Sequence, residues 1–436
     1  MNGTDQRIYY AETGLKRTIM KSHYIMAASA ALILSSCEPA EPQHEPMPIQ
    51  PIELTKAQDE MVDNGNVFAF NLIKTVSESD ELQGKDFMVS PLSISFVLGA
   101  LNNGATGQTS EEILSAIGFE GSTANDINEY CKTILQGCPN VDDLVDMKIA
   151  NAVVLKEGYE MKKGFGNALA DYYEAYVRTM KFDSKAVEAI NDWCDKHTEG
   201  MIPEIIERIP DGACMFALNA IYFKGEWANK FEKKDTENAD FTNIDGSTSK
   251  TKMMQNEDWF DYTSNDLWAT VRLPYGNGSY GMYVLLPHEG KSIYDVIEAL
   301  DGETWEATRR KMYGNKVNLK LPSFETETSI DLREIMKALG MKRAFDPAKA
   351  EFGEMLVKTN GNLSLGILLQ KSKITVNEEG TKAAAVTIGG MVDSAAGPPA
   401  EPEIINFHAD RPFIYLIQEN SSNAIFFIGT KLFCQN

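Results

Sequence analysis

Apolar and polar positions in this chain repeat with two different periods. From Ala189 to Glu207 they fall at helical spacing, with Ile190, Trp193, Cys194 and His197 along one side. Asp331 to Leu339 predicts a second helix, closed by Gly340. Thr270-Val271-Arg272-Leu273, Met282 to Leu286, Leu319 to Pro322 and Ser364 to Val376 predict strands. These elements are not strung as strand–helix–strand units, so the mixture predicts an α+β fold rather than a doubly wound one. Length alone splits the roughly 380 residues of the main body into two or three domains. No linker-like break or repeat interrupts them.

One segment departs from both periods. After the strand tail Lys373-Ile374-Thr375-Val376 the chain reads Asn377-Glu378-Glu379-Gly380-Thr381-Lys382-Ala383-Ala384-Ala385-Val386-Thr387. As a strand it would turn Thr381, Ala383, Ala385 and Thr387 to one face and Lys382 to the other. On the first face every side chain is small and uncharged, so a closing sheet would meet neither bulk nor buried charge. Gly380 supplies hinge freedom. The bland alternative is an alanine-rich loop or the first turn of a helix.

The N-terminal region is of another kind. Met20-Lys21-Ser22-His23 precedes an apolar run from Tyr24 to Leu34, too short to span a bilayer, and then Ser35-Ser36-Cys37. This predicts an export signal over residues 1–36, with a true start at Met20 left open. The Leu34-Ser35-Ser36-Cys37 ending looks like a bacterial lipobox, in which Cys37 is lipidated. Residues 37–56 follow as a proline-rich tether, and residues 57–436 as the folded domain. The protein is expected outside the cytoplasm, held by lipid at a bacterial outer membrane or cell surface, or extracellular.

Charge and cysteine usage exclude several function classes. Lys+Arg 41 against Asp+Glu 63 gives a net charge of -22, which argues against nucleic acid and against binding to anionic membrane except through the lipid. Beyond Cys37, the cysteines Cys131, Cys138, Cys194, Cys214 and Cys434 contain no close pair of zinc-ligand spacing, and their odd number argues against a disulfide framework. Cys131 and Cys138 are left open as a pair, with buried thiols the default. Gly276-Asn277-Gly278-Ser279-Tyr280-Gly281 matches a dinucleotide fingerprint literally, but strands flank it on both sides, so it predicts a hairpin turn. His197, His288 and His408 are scattered. Neither a catalytic triad, a metal site nor a cofactor has convincing material.

Several motifs carry a resemblance. Ser90-Pro91-Leu92-Ser93-Ile94-Ser95, Gly104 to Thr109, Leu218-Asn219-Ala220-Ile221-Tyr222-Phe223-Lys224-Gly225-Glu226-Trp227, Phe407-His408-Ala409-Asp410-Arg411-Pro412-Phe413 and Phe426 to Lys431 occur in that order with the hinge-like row. Together they resemble the serpin family over residues 57 to 436. The resemblance implies one domain with a large central mixed or antiparallel sheet, further sheets, eight or nine helices and an exposed reactive loop at about 377–405. It implies a monomer that is not an enzyme but an inhibitor of serine-type endopeptidases. A protease cleaves the loop, the loop inserts into the main sheet, and the enzyme is held in a covalent complex. The alternative is a non-inhibitory serpin-like binding protein.

Residues carry over from the family one by one. Glu378, Glu379, Gly380, Thr381, Ala383, Ala384 and Ala385 match the hinge. Ser90, Ser93 and Asn219 match the polar cluster beneath the sheet, with Gln370 where the family usually has histidine. Trp227 matches the aromatic where insertion begins. Ser323 stands where a lysine often pairs with the acid at Glu378, which puts that ion pair in doubt. Fourteen residues beyond Gly380 the scissile bond falls between Ser394 and Ala395, with Met391, Val392 and Ala396 as neighbouring alternatives. Counting back from Pro412 moves it about seven residues on, because Gly397 to Pro402 lengthens the loop. No Arg or Lys lies from Ala383 to Glu403, so elastase-like proteases fit better than trypsin-like ones, and papain-like cysteine proteases stay open.

Overall fold

The structure, a computed structural model, describes residues 47–209, 213, 215–357, 363–380 and 402–434. The chain enters through helix α1 (Lys56–Ser77), whose N-cap Thr55 and Gln58 form a reciprocal capping box. Strand β1 (Phe87–Val89) leads into the fully buried α2 (Pro91–Asn102), which starts on proline after the N-cap Ser90. Helices α3 (Gly107–Ala116) and α4 (Ala124–Gly137) precede β2 (Val145–Lys156), α5 (Lys163–Tyr173), β3 (Tyr176–Met180), α6 (Ser184–His197) and β4 (Met215–Gly225). Strands β5 (Glu237–Thr242), β6 (Thr248–Ser264), β7 (Trp268–Pro274) and β8 (Tyr280–Pro287) follow. Helices α7 (Ile293–Ala299) and α8 (Gly302–Arg310) come next, then β9 (Tyr313–Pro322), β10 (Phe324–Asp331) and α9 (Arg333–Ala338). The described chain ends with β11 (Leu368–Val376), β12 (Ile404–His408), β13 (Phe413–Glu419) and β14 (Ile425–Lys431).

Two sheets organise these elements. The five-stranded one runs β10-β11-β4-β2-β3. Its β11–β4 and β2–β3 seams are parallel and the other two antiparallel. The nine-stranded one runs β1-β14-β13-β8-β7-β6-β9-β12, with β5 on β6. Both faces of the five-stranded sheet are covered. Ala217 and Ile221 of β4 join the main core, while Phe216, Leu218 and Ala220 pack with Ile190 and Trp193 of α6 in a second cluster. A strand buried on both faces reads as a continuous apolar run, as β4 does.

The α+β expectation holds, and the Gly276–Gly281 segment is the hairpin turn between β7 and β8, with Gly276 and Gly278 at positive φ. Two local readings shift. The helix expected to reach Glu207 stops at His197, because Glu199 and Gly200 adopt left-handed backbone. Beyond it Ile202, Ile205 and Ile206 still enter the second cluster from irregular chain. Asn191 holds that chain, accepting from the Ile205 and Ile206 amides at 2.9 and 3.1 Å and donating to the Ile206 carbonyl at 2.8 Å. The strand expected from Ser364 begins at Leu368. Cys131 and Cys138 are separate buried thiols. Seven residues along a helix and its cap separate them by about 10 Å, too far for a disulfide.

The downstream end of the expected tether lies against the body. Ile52 is buried and its amide donates to Ser421 Oγ at 2.9 Å, while the Met47 carbonyl accepts from Asn277 Nδ2 at 3.1 Å. Cys37 and the expected export signal lie outside the described residues.

Candidate functional site

The parallel seam between β11 and β4 is bonded over only part of its length. Leu368 to Lys373 pair with Ala217 to Tyr222; above that point each strand continues with its other neighbour alone. Beyond β11 the chain turns at Asn377 and passes in front of the segment that follows β4. The indole Nε1 of Trp227 donates to the Asn377 carbonyl at 2.9 Å. The Trp227 amide donates to the Glu379 carbonyl at 3.4 Å and the Phe231 amide to that of Glu378 at 3.1 Å. Trp227 is itself fixed, buried and stacked on Tyr275 at 4.3 Å between ring centroids. The upper end of the seam is therefore clasped by Asn377, Glu378 and Glu379, where the expected hinge begins.

Gly380 fits this clasp as no other residue would. Its φ is +65°, and an added Cβ would lie 2.1 Å from the Trp227 amide nitrogen. Glu379, rather than Glu378, forms the ion pair here, at 2.5 Å from Lys233 Nζ. Its carboxylate raises the Lys233 pKa. Ser323 takes no part in it; its hydroxyl donates to the Val376 carbonyl at 3.1 Å. Glu226 beside Trp227 is a less comfortable neighbour. Burial, with a contribution from Glu379, raises its carboxyl above the ordinary range, against the lowering effect of Lys230 and Lys224.

A buried polar row crosses the lower part of the seam. Gln370 on β11, Asn219 on β4 and Asn151 on β2 lie side by side in register. Gln370 Oε1 accepts from the Ser90 amide at 2.9 Å, and its Nε2 donates to the Ser90 carbonyl at 3.0 Å and to Asn219 Oδ1 at 3.2 Å. Asn219 Nδ2 donates onward to Asn151 Oδ1 at 2.9 Å. Ser93 joins only through its amide, which donates to Ser90 Oγ; its hydroxyl has no partner among the described residues. The row thus ties the N-terminus of α2 to three strands. Asn151 escaped the sequence reading, although a lone amide within the apolar run Ile149 to Leu155 was a visible signal.

Thr381, Ala383, Ala384, Ala385, Met391, Val392, Ser394, Ala395 and Ala396 lie outside the described residues. The residues before them are the ones that the structure brings together at the seam: Glu378, Glu379 and Gly380 at its top, Ser90, Asn219 and Gln370 across it.

A five-stranded mixed sheet with a short parallel seam, followed in sequence by a small-residue segment, is joined by a family match. The model of the serpins, serine protease inhibitors, matches residues 63–432. The chain belongs to the serpin family. Mouse glia-derived nexin is 31% identical over 356 residues, covering 79% of this chain and 87% of the nexin. The thermophilic serpin tengpin, in its native state, superposes with a TM-score of 0.78 at 30% identity, over 90% of this chain and 98% of tengpin. Human thyroxine-binding globulin, solved with its hormone, shares the fold at a TM-score of 0.77 and 24% identity, over 87% of this chain and all of that one. Serpins in general are protease inhibitors rather than enzymes and form complexes with target proteases, but the family also holds non-inhibitory members.

Proposed function

We propose that this serpin is an inhibitor that traps elastase-like serine proteases by inserting its cleaved loop between β11 and β4. The observation that carries this reading is the short parallel seam with the hinge clasped at its upper end. A segment that leaves the top of β11 and turns back at Gly380 runs opposite to β11. It is then opposite to β4 as well. Insertion replaces one parallel seam with two antiparallel ones, which bond slightly better per residue, and buries added apolar area. Fourteen residues separate Gly380 from Ser394, enough to span the eleven residues of β4.

The chemistry is that of an interrupted hydrolysis. The protease serine attacks the Ser394 carbonyl, the bond to the Ala395 nitrogen breaks, and the serine proton ends on the new Ala395 amine. An ester joins the two proteins, and insertion outruns its hydrolysis. Thr381→Arg stops insertion, since an unpaired guanidinium on the inward face is costly to bury. The test is incubation with an elastase-like protease. A high-mass SDS-stable band with the wild type, and cleavage without that band for Thr381→Arg, are expected. Clean cleavage of both would leave a substrate or a non-inhibitory binding protein.

The Leu34-Ser35-Ser36-Cys37 pattern supports a lipid anchor at Cys37, with the following residues as leash. A bacterial lipoprotein cysteine carrying several acyl chains would be held durably, placing the inhibitor where proteases reach the envelope. The wild type is expected in the detergent phase on phase partitioning and Cys37→Ala in the aqueous phase. Both variants in the aqueous phase would overturn the anchor.

A further inference from the structure

The turn after α1 and the helix α9 enclose a cavity apart from the seam. It holds about 580 Å³ at the C-terminal end of β10, and no residue of the nine-stranded sheet or of α8 lines it. That volume is typical of sites for small organic molecules. Its two walls differ. On the α9 side Ile330, Ile335 and Ala338 supply apolar surface, and the charges beside them are matched. Arg333 Nη2 lies 2.6 Å from Asp331 Oδ2, and Lys337 Nζ 2.7 Å from Glu334 Oε1. On the α1 side three acidic residues line the cavity, Glu78, Asp80 and Glu81. None of their carboxylates is held by a cation among the described residues; Lys85 Nζ donates to the Glu81 backbone carbonyl at 2.7 Å instead. The turn that carries them is fixed. The Ser79 hydroxyl donates to the Val76 carbonyl at 2.8 Å and accepts from the Leu82 amide at 3.3 Å.

We propose that this cavity binds a small organic ammonium ion, its charge toward Glu78, Asp80 and Glu81 and its apolar body on Ile330, Ile335 and Ala338. The site is independent of the inhibitory reading. A net charge of -22 draws cations to the whole surface, so charge alone does not select this place. The apolar wall opposite the acids does. A molecule of the same shape that carries a carboxylate is repelled by three uncompensated acids. A bare diamine gains only screened attraction and leaves the apolar wall wet. An arylalkylamine such as tryptamine meets both walls at once, burying its ring against the isoleucines. A ligand of about a dozen heavy atoms seated in this way has a dissociation constant on the order of 0.1 mM.

The test titrates the intact chain by calorimetry at about 0.15 M salt with three probes. Tryptamine carries ring and cation, indole-3-propionate the same ring with a carboxylate, and putrescine two cations without a ring. Two variants are compared, with thermal midpoints recorded: Glu78→Gln with Glu81→Gln, and Ala338→Phe, which fills the cavity from an exposed position. The wild type is expected to bind tryptamine and to bind the other two probes at least about tenfold more weakly. The glutamine pair should weaken tryptamine about fivefold, the sum of two modest surface charge contacts. Ala338→Phe should lose tryptamine while melting like the wild type. No binding of tryptamine by the wild type, undiminished binding by Ala338→Phe, or equal binding of putrescine would overturn the site. Should Ala338→Phe melt early, the glutamine pair decides, and an unchanged affinity in it would overturn the site as well.

Discussion

Glu226 shows how the top of the seam is balanced residue by residue. Its backbone is well held, the amide donating to Leu144 and the carbonyl accepting from Gly276. Its side chain is mostly buried, with Oε2 3.8 Å from Lys230 Nζ and no hydrogen bond to that oxygen. A carboxyl whose folded pKa is raised favours the folded state less when charged. The penalty is full above the raised value and is relieved as pH falls through it toward the ordinary 4.5. Glu226→Gln should therefore raise the thermal midpoint of the intact protein at pH 7 by about 2 °C. The gain should shrink toward pH 4.5. A midpoint at pH 7 equal to or below that of the wild type would contradict this balance. Gly380 is the complementary case, a residue whose lack of a side chain is what lets the hinge lie against Trp227.

At the scale of elements, the seam is held by two devices of different visibility. The expected hinge rests on a local sequence pattern, small residues after a strand and a glycine, of which the structure describes Glu378, Glu379 and Gly380. The polar row was legible at Ser90, Asn219 and Gln370 only through the family resemblance, since register alone brings these distant residues together. Asn151 was missed for that reason, and the ion pair fell on Glu379 because Lys233 reaches it from a separate turn. The α6 overextension has a related cause: Ile202, Ile205 and Ile206 keep a helix-like spacing while a left-handed Glu199 and Gly200 have already ended the helix. Gln370→Leu tests the row directly. It leaves the Ser90 amide and Asn219 Oδ1 without a partner inside the core and the Ser90 carbonyl with the Ile94 amide alone, a loss of about 2–4 kcal/mol. Urea unfolding should read that loss, and hydrogen exchange should speed up along β11 and β4. Unchanged stability would mean that the row does not hold the seam.

At the scale of the molecule, a sheet that can gain a strand is one whose present state is not its most stable. The nine-stranded sheet is antiparallel apart from its β9–β12 edge pair and gives the rigid frame, whereas the five-stranded sheet holds an internal parallel seam bonded over six residue pairs. On the proposed inhibitory reading, stored free energy of this kind is released only when the loop is cut, because an intact loop is tied at both ends, to β11 and to β12. The measurement that tests this most directly is the thermal midpoint before and after a single cut between Gly389 and Glu401, confirmed by mass. The account predicts a sharp rise on cleavage, by tens of degrees on the order seen when many stabilising increments combine, and its loss in Thr381→Arg. A cleaved wild type that melts at the same temperature as the intact protein would contradict insertion.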